Sequence, residues 1–189
     1  NHYLNELSDG ERQRVMIAKA LAQDTPLIFL DEPTAHLDLP NRVEIMLLLH
    51  RLAHKTGKGI ILSTHELDLA LQAADRIWLM SSTEGVISGV AEDLVIDGSF
   101  NRVFQSEAYY FNAANGNFSM NYPLNKQLSV SGDKTRLYWT LRALARAGYS
   151  VTADAETHIK ISEKGWEING NILLTIEDLL QELSTFPEI

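Results

Sequence analysis

Cysteine is absent from this chain of 189 residues, and proline occurs only five times. Disulfide bridges and thiolate metal sites are therefore excluded, and the lack of cysteine fits a reducing compartment. No apolar run reaches the roughly 18 residues that a membrane-spanning helix needs. Basic residues are also scarce, since 16 Lys and Arg stand against 25 Asp and Glu, for a formal net charge of −9. This balance argues against nonspecific binding to nucleic acid or to an anionic membrane surface.

A glycine-rich phosphate-binding loop is also missing from the sequence. The pattern Gly-x-x-x-x-Gly-Lys-Ser/Thr occurs nowhere, and its nearest imitation is Gly132-Asp133-Lys134-Thr135. In that stretch Asp133 separates Gly from Lys, and Gln127 stands where the first glycine belongs. Hydrophobic residues nevertheless make up 45% of the chain, enough to bury a core in one ordinary domain, or in one domain with a small appendage.

Two apolar runs end in polar residues suited to chemistry. Leu27–Leu30 leads into Asp31 and Glu32, and Ile60–Leu62 leads towards His65. A short apolar run that ends in acids predicts a buried strand with a site at its carboxyl end. Two parallel strands would place Asp31, Glu32 and His65 at one edge of a sheet. Paired carboxylates are rarely core filler, because burying them is costly unless they serve a cation or a reaction.

Helical patterns separate these strands. The apolar spacing predicts helices over 10–23, 39–56 and 67–74, and a further strand over 77–80. Strand–helix–strand–helix–strand with short joints predicts right-handed crossovers and a parallel sheet covered on its faces.

The pattern changes near residue 110. The stretch 112–117 is polar and Asn-rich, and short strand candidates and two amphipathic helices follow it. We therefore expect residues 109–189 to form a separate small α+β domain, with Asp133 capping the first of its helices.

The stretch Ser8-Asp9-Gly10-Glu11 opens the first helix. On local physics Ser8 and Glu11 form a capping box, in which each side chain accepts a hydrogen bond from the backbone N–H of the other residue. A capped helix end with Ser and Gly beside it is also a phosphate-binding surface, because amides and the positive end of the helix dipole converge there. The two interpretations are compatible.

The order and spacing of these stretches resemble the ATPase subunit of an ABC transporter. The signature loop of that family corresponds to residues 7–15, the Walker B motif to 27–33, the D-loop to 35–38 and the switch histidine to His65. At two positions the signature departs from its commonest form, with Asp and Glu where Gly and Gln usually stand. The resemblance covers roughly residues 3–105 and says nothing about the rest of the chain.

The resemblance implies a role for each motif residue. Five residues are implied to bind ATP: Ser8, Asp9, Gly10, Glu11 and Asp38. In this family the signature loop contacts ATP held by the opposite subunit, and the D-loop crosses the subunit interface. Asp31 is implied to position Mg²⁺ through water, Glu32 to polarise the attacking water and His65 to contact the γ-phosphate. ATP and Mg²⁺ are therefore the implied cofactors, and the Asp9 carboxylate is expected to point away from the triphosphate.

The fold implied by the resemblance is α/β. Residues 1–108 are expected to form the C-terminal part of a P-loop ABC ATPase core with parallel strands, and residues 109–189 an accessory α+β domain with a possible regulatory role. Because the family's phosphate-binding loop precedes the signature, the chain resembles the C-terminal portion of a longer subunit that lacks the Walker A loop. We expect the full-length subunit to be a transport-coupled ATPase and this segment alone to be inactive.

Within the family, the stretches 8–18 and 37–42 most resemble importers of iron–siderophore, haem or cobalamin. The implied partners are a second ATPase subunit in a head-to-tail dimer and transmembrane permease subunits, with no nucleic acid and no direct membrane insertion. The implied location is cytoplasmic, peripheral on the inner face of the cell membrane.

Three alternatives stay open. The chain could belong to a soluble, non-transport ABC ATPase of translation or DNA repair. Residues 111–189 could be a regulatory or dimerising module, in which case the chain as given would be a binding module without activity. His50 and His54, four residues apart on one helix, could also bind a metal, but the sequence shows no third ligand beside them.

Overall fold

The computed structural model describes residues 6–185, which divide into a first unit ending at Ser119 and a second beginning at Met120. The elements up to this boundary follow in chain order: α1 (Asp9–Ala22), β1 (Leu27–Asp31), α2 (Leu39–Thr56), β2 (Gly59–Ser63), α3 (Leu67–Ala73), β3 (Ile77–Ser81), β4 (Gly85–Gly89), α4 (Ala91–Ile96), α5 (Ser99–Phe104), β5 (Tyr109–Asn112) and β6 (Asn117–Met120), whose last residue is the first of the second unit.

Strands β1 and β2 pair in parallel, which confirms the arrangement that the sequence predicts. Leu27 lies opposite Gly59 and Asp31 lies opposite Ser63, so the two carboxyl ends meet at one edge. Lys58 fixes the other end of the pair, because its Nζ donates to Asp24 Oδ1 at 2.8 Å. This hydrogen bond and the positive charge of Lys58 lower the pKa of Asp24.

Strand β1, which the sequence predicts to be buried, is buried on one face in the described part of the chain. Ile28 is 6% exposed, whereas the neighbouring Phe29 is 69% exposed. The buried face packs into a core that includes Ile17 of α1 and Ile45 and Leu49 of α2. Helices therefore cover one side of this two-stranded sheet in the described part of the chain.

Strand β3 does not join the parallel sheet among the described residues, and this corrects the prediction of a third parallel strand. It pairs antiparallel with β4, with Ile77 opposite Gly89. Ile77 and Leu79 pack into a separate core with Leu94 of α4 and Phe100 of α5. The apolar face of β3 is thus covered by helices that follow it in the chain.

The unit boundary lies after Ser119 rather than after residue 108, where the sequence analysis places it. The reason is that β5 belongs to the first unit, since Phe111 is 2% exposed and packs in the same core as Phe100. The Asn-rich stretch is the turn between β5 and β6, in which Gly116 N donates to Asn112 O at 2.9 Å. Helix α5 and strand β5 are absent from the elements predicted from the sequence.

The second unit is an α+β arrangement with its own core. Its elements are β7 (Lys126–Gly132), α6 (Lys134–Arg146), β8 (Tyr149–Val151), β9 (His158–Ser162), β10 (Gly165–Ile168), β11 (Asn171–Leu173) and α7 (Ile176–Ser184). The five strands form one sheet in the order β11-β10-β9-β7-β8. Leu144 of α6 and Leu179 of α7 pack against Leu128 of the sheet, and all three are fully buried.

Capping places the helices of both units. Asp38 caps α2 and Asp133 caps α6, each through its side-chain oxygen.

Over residues 6–185, no helix has both the length and the apolar character needed to cross a bilayer.

Candidate functional site

A serine hydroxyl joins the carboxyl ends of the two parallel strands. Ser63 Oγ donates to Asp31 Oδ1 at 2.5 Å. The same oxygen accepts a hydrogen bond from the backbone N–H of Glu32 at 3.0 Å. One side chain from β2 thus fixes both the carboxylate that ends β1 and the peptide that follows it.

Glu32 stands in an unusual backbone conformation. Its φ is +42°, in the left-handed region that costs a non-glycine residue roughly 1–3 kcal/mol. The hydrogen bond to Ser63 and a turn in which Ala35 N donates to Glu32 O at 3.0 Å hold this conformation. The next residue, Pro33, is buried. The strained backbone fixes the position from which the Glu32 side chain extends, at the exposed edge of the sheet.

His65 lies between two carboxylates. Its Nδ1 is 3.2 Å from Glu32 Oε1, and its Nε2 is 3.7 Å from Glu66 Oε1. The imidazole side chain is 66% exposed and therefore open to a ligand, whereas that of Glu66 is only 16% exposed. The predicted trio of Asp31, Glu32 and His65 is therefore brought together at one edge.

Arg42 connects the loop that precedes α2 to the loop that carries the histidine. Its Nε donates to Leu37 O at 2.6 Å, and its Nη1 donates to Glu66 Oε1 at 2.6 Å. Because Glu66 also faces His65, the guanidinium links residues 35–38 to the histidine through one half-buried ion pair.

The beginning of α1 has the capping box that the sequence predicts. Glu11 N donates to Ser8 Oγ at 3.3 Å, and Ser8 N donates to Glu11 Oε2 at 3.0 Å. Asp9 forms an exposed ion pair with Arg12 at 3.7 Å. The Asp9 carboxylate is thus partly neutralised within its own helix turn.

Gly10 and Asp38 meet at a common neighbour, Asn41. Asp38 Oδ1 accepts hydrogen bonds from Asn41 N at 3.1 Å and from Asn41 Nδ2 at 2.7 Å. A Cβ atom on Gly10 would lie 3.0 Å from Asn41 Oδ1, so glycine allows the start of α1 to approach α2 closely. The signature-like stretch and the D-loop-like stretch therefore share Asn41 of α2 as a neighbour.

Sequence reasoning missed three members of this network: Ser63, Arg42 and Glu66. Ser63 and Glu66 flank Thr64 and His65 in the sequence, but their partners lie 24 or more residues away. A pattern of neighbouring residue types does not encode such contacts. Only the rule that parallel strand ends meet at one edge could have indicated Ser63.

The edge that contains Asp31 and Glu32 suits a hard divalent cation bound to phosphate. Mg²⁺ prefers oxygen ligands, keeps several waters and is commonly held through one or two carboxylates. Both acids are exposed at the strand end, and Asp31 is the one oriented by Ser63. The residues present therefore fit the implied Mg²⁺.

Two family models match the sequence. Residues 1–35 match the model described as ABC transporter. Residues 125–184 match the model described as Iron ABC transporter C-terminal domain. The second match covers most of the second unit, for which the sequence motifs indicate no family.

Curated relatives and a solved structure agree with these matches. An uncharacterized ABC transporter ATP-binding protein of Methanocaldococcus jannaschii is 35% identical over 66% of this chain and 44% of its own length. The petrobactin import ATP-binding protein FpuC of Bacillus anthracis is 38% identical over 57% of this chain and 40% of its own. A solved structure assigned to the metal-chelate type of ABC transporter, in an inward-facing conformation, has a TM-score of 0.52 at 27% identity, over 63% of this chain and 47% of that one.

These matches confirm the resemblance to ATP-binding subunits of ABC transporters and the α/β fold class that it implies. The chain spans less than half the length of the curated relatives described above.

The first prediction concerns the Arg42–Glu66 ion pair. Replacing Arg42 by Ala leaves a mostly buried carboxylate without its partner, so we expect a loss of roughly 1–3 kcal/mol in unfolding free energy. The matched control is Arg12→Ala, which breaks an exposed ion pair and should cost about 0–1 kcal/mol. Denaturant unfolding of both variants measures the difference.

A double-mutant cycle with Glu66→Ala isolates the interaction energy of the pair. Equal losses for the two arginine variants, with no coupling between Arg42 and Glu66, would contradict a structural link through this ion pair.

Proposed function

We propose that this chain is part of the ATP-binding subunit of an ABC importer and contains the part of its catalytic edge that polarises water. The observation that carries the proposal is the cluster in which Ser63 orients Asp31 and Glu32 while His65 faces Glu32. A carboxylate with a fixed backbone next to an exposed imidazole suits general-base activation of a water that attacks a phosphoanhydride.

In this proposal each residue acts through one atom. A carboxylate oxygen of Glu32 accepts the proton of the attacking water, and a nitrogen of His65 donates a hydrogen bond to the γ-phosphate. Asp31, whose carboxylate is oriented by Ser63, would hold Mg²⁺ through water. When bound, Mg²⁺ neutralises charge on the phosphates. Ser8, Asp9, Gly10, Glu11 and Asp38 are proposed to contact ATP across a subunit interface.

The proposed partners follow from the same resemblance. A second ATPase subunit would complete the site in a head-to-tail dimer. Opening and closing of this dimer would drive conformational change in the permease subunits. We place the assembled subunit at the cytoplasmic face of the membrane. The exposed Phe29 face of β1 supports packing against a further part of the subunit, because a large apolar side chain is rarely left uncovered in a core strand.

The proposed substrate is an iron–siderophore or a related metal chelate. Similarity to ATP-binding proteins does not by itself identify the transported substrate, since the relatives of this chain include a phosphonate import protein and a macrolide export protein. Support for iron comes from the second unit, where residues 125–184 match the iron transporter C-terminal model. Relatives named for petrobactin and iron(3+)-hydroxamate import agree with this choice.

The second prediction is that the 189-residue chain alone does not hydrolyse ATP. The sequence contains no Gly-x-x-x-x-Gly-Lys-Ser/Thr stretch to cradle the β- and γ-phosphates. A phosphate-release assay with Mg²⁺ and ATP should give the same background for this chain and for its Glu32→Gln variant. Mg²⁺-dependent turnover that disappears in the variant would contradict the prediction.

The third prediction concerns Glu32 in the full-length subunit. Glu32→Gln keeps the shape of the side chain but cannot accept a proton, so hydrolysis should fall by about 10²–10⁴ while ATP binding is retained. The variant should accumulate as an ATP-bound dimer in gel filtration. Glu92→Gln, an exposed acid in the first turn of α4, is the matched control and should leave both properties unchanged. Hydrolysis at the wild-type rate would exclude Glu32 as the base.

The fourth prediction tests the substrate class and separates it from the soluble alternative. Cells that lack the gene for the full-length subunit should take up less radioactive iron supplied as a ferric siderophore, while phosphonate uptake stays normal. The wild-type gene should restore uptake and the Glu32→Gln gene should not. Unchanged iron uptake after deletion would favour a non-transport ABC ATPase or an accessory module.

A further inference from the structure

Three metal-binding side chains converge on the first unit, away from the catalytic edge. His50 and His54 lie one turn apart on α2, and their ring centroids are 4.4 Å apart. Asp75 lies in the short link between α3 and β3, and its Oδ1 is 3.3 Å from His54 Nε2. One ligand atom from each of the three residues lies within 4.8 Å of the others.

This geometry identifies Asp75 as the third ligand, which the sequence alone does not indicate. Two histidines at positions i and i+4 project from the same face of a helix. A carboxylate from a different element then closes the set, so the ligands do not all depend on one helix turn. All three residues are exposed, which leaves room for water to complete the coordination shell.

We propose that His50, His54 and Asp75 form a binding site for a divalent transition-metal ion of the zinc class. Imidazole nitrogens with one carboxylate oxygen suit Zn²⁺, Ni²⁺ and Co²⁺, whereas Mg²⁺ and Ca²⁺ prefer oxygen-only sets. This site is independent of the proposed ATPase function, since none of its ligands belongs to the cluster around Glu32.

The charges around the site permit a cation. Arg76 follows Asp75 directly, but its Nη2 donates to Ser88 Oγ at 3.3 Å on β4. Arg51 lies beside His50 in the sequence, and its Nε donates to Leu47 O of its own helix at 3.2 Å. Asp75 Oδ1 instead lies 3.3 Å from Nε2 of His54, the second proposed ligand.

A bound ion would join two parts of the fold that are separate in sequence. Helix α2 begins at the D-loop-like stretch, and the link containing Asp75 follows α3, which begins just after the proposed switch histidine. A metal bridge between α2 and this link stabilises the folded form by mass action, because the three ligands are not held together in the unfolded chain.

The test is titration of the full 189-residue chain with Zn²⁺ by isothermal calorimetry, alongside thermal melts. We expect a single dominant site and a melting temperature that rises by a few degrees with excess Zn²⁺. In His54→Gln and Asp75→Asn, the affinity for Zn²⁺ should fall and the thermal shift should disappear. Loss of an outer-shell partner typically lowers metal affinity by roughly 10–100-fold, so loss of a ligand should lower it by at least as much. Circular dichroism confirms that each variant is folded.

Asp68→Asn is the matched control, because it removes the same charge from an exposed position on α3 outside the ligand set. It should bind Zn²⁺ as the unsubstituted chain does. Zn²⁺ affinity that is unchanged in both His54→Gln and Asp75→Asn would overturn the proposal and place any bound metal elsewhere, such as beside His65. Absence of Zn²⁺ binding by the unsubstituted chain would overturn it equally.

Discussion

The candidate site depends on the hydroxyl of Ser63. By donating to Asp31 and accepting from the peptide of Glu32, this oxygen turns the parallel register of β1 and β2 into a fixed arrangement of side chains. Without it, the two strand ends would still lie side by side, but Asp31 would lose the hydrogen bond that orients its carboxylate, and the Glu32 backbone would lose one of the two that hold it. The chemistry proposed for this edge therefore rests on a side chain that projects from a strand, and such support is more precise than that of a loop.

Charged hydrogen bonds extend this support from the strands to the helices. Arg42 contacts the carbonyl of Leu37 and the carboxylate of Glu66, so the loop before α2 and the loop after β2 share one guanidinium. A displacement of residues 35–38 would therefore reach Glu66, the neighbour of His65, through two short, charge-assisted hydrogen bonds. The close approach of Gly10 to Asn41 brings the beginning of α1 next to the beginning of α2, which follows residues 35–38.

Local patterns predicted much of this structure, and contacts between distant residues account for the rest. The helix starts after Ser8 and Asp133 follow from their capping side chains, and the meeting of Asp31 with His65 follows from the rule for parallel strand ends. The exposure of Phe29 was unpredictable, because an apolar run has the same composition whether one face or both are covered. Asp75 joins His54 across 21 residues, a pairing that no periodicity records.

The positive φ of Glu32 has a consequence for protein engineering. A glycine at this position would relieve backbone strain, so selection for heat resistance alone would favour removing the carboxylate that the chemistry needs. Stability and activity therefore favour different residues at a single position. Sequences optimised by thermal screening should be expected to lose this acid early, and libraries built on this scaffold should keep it constant.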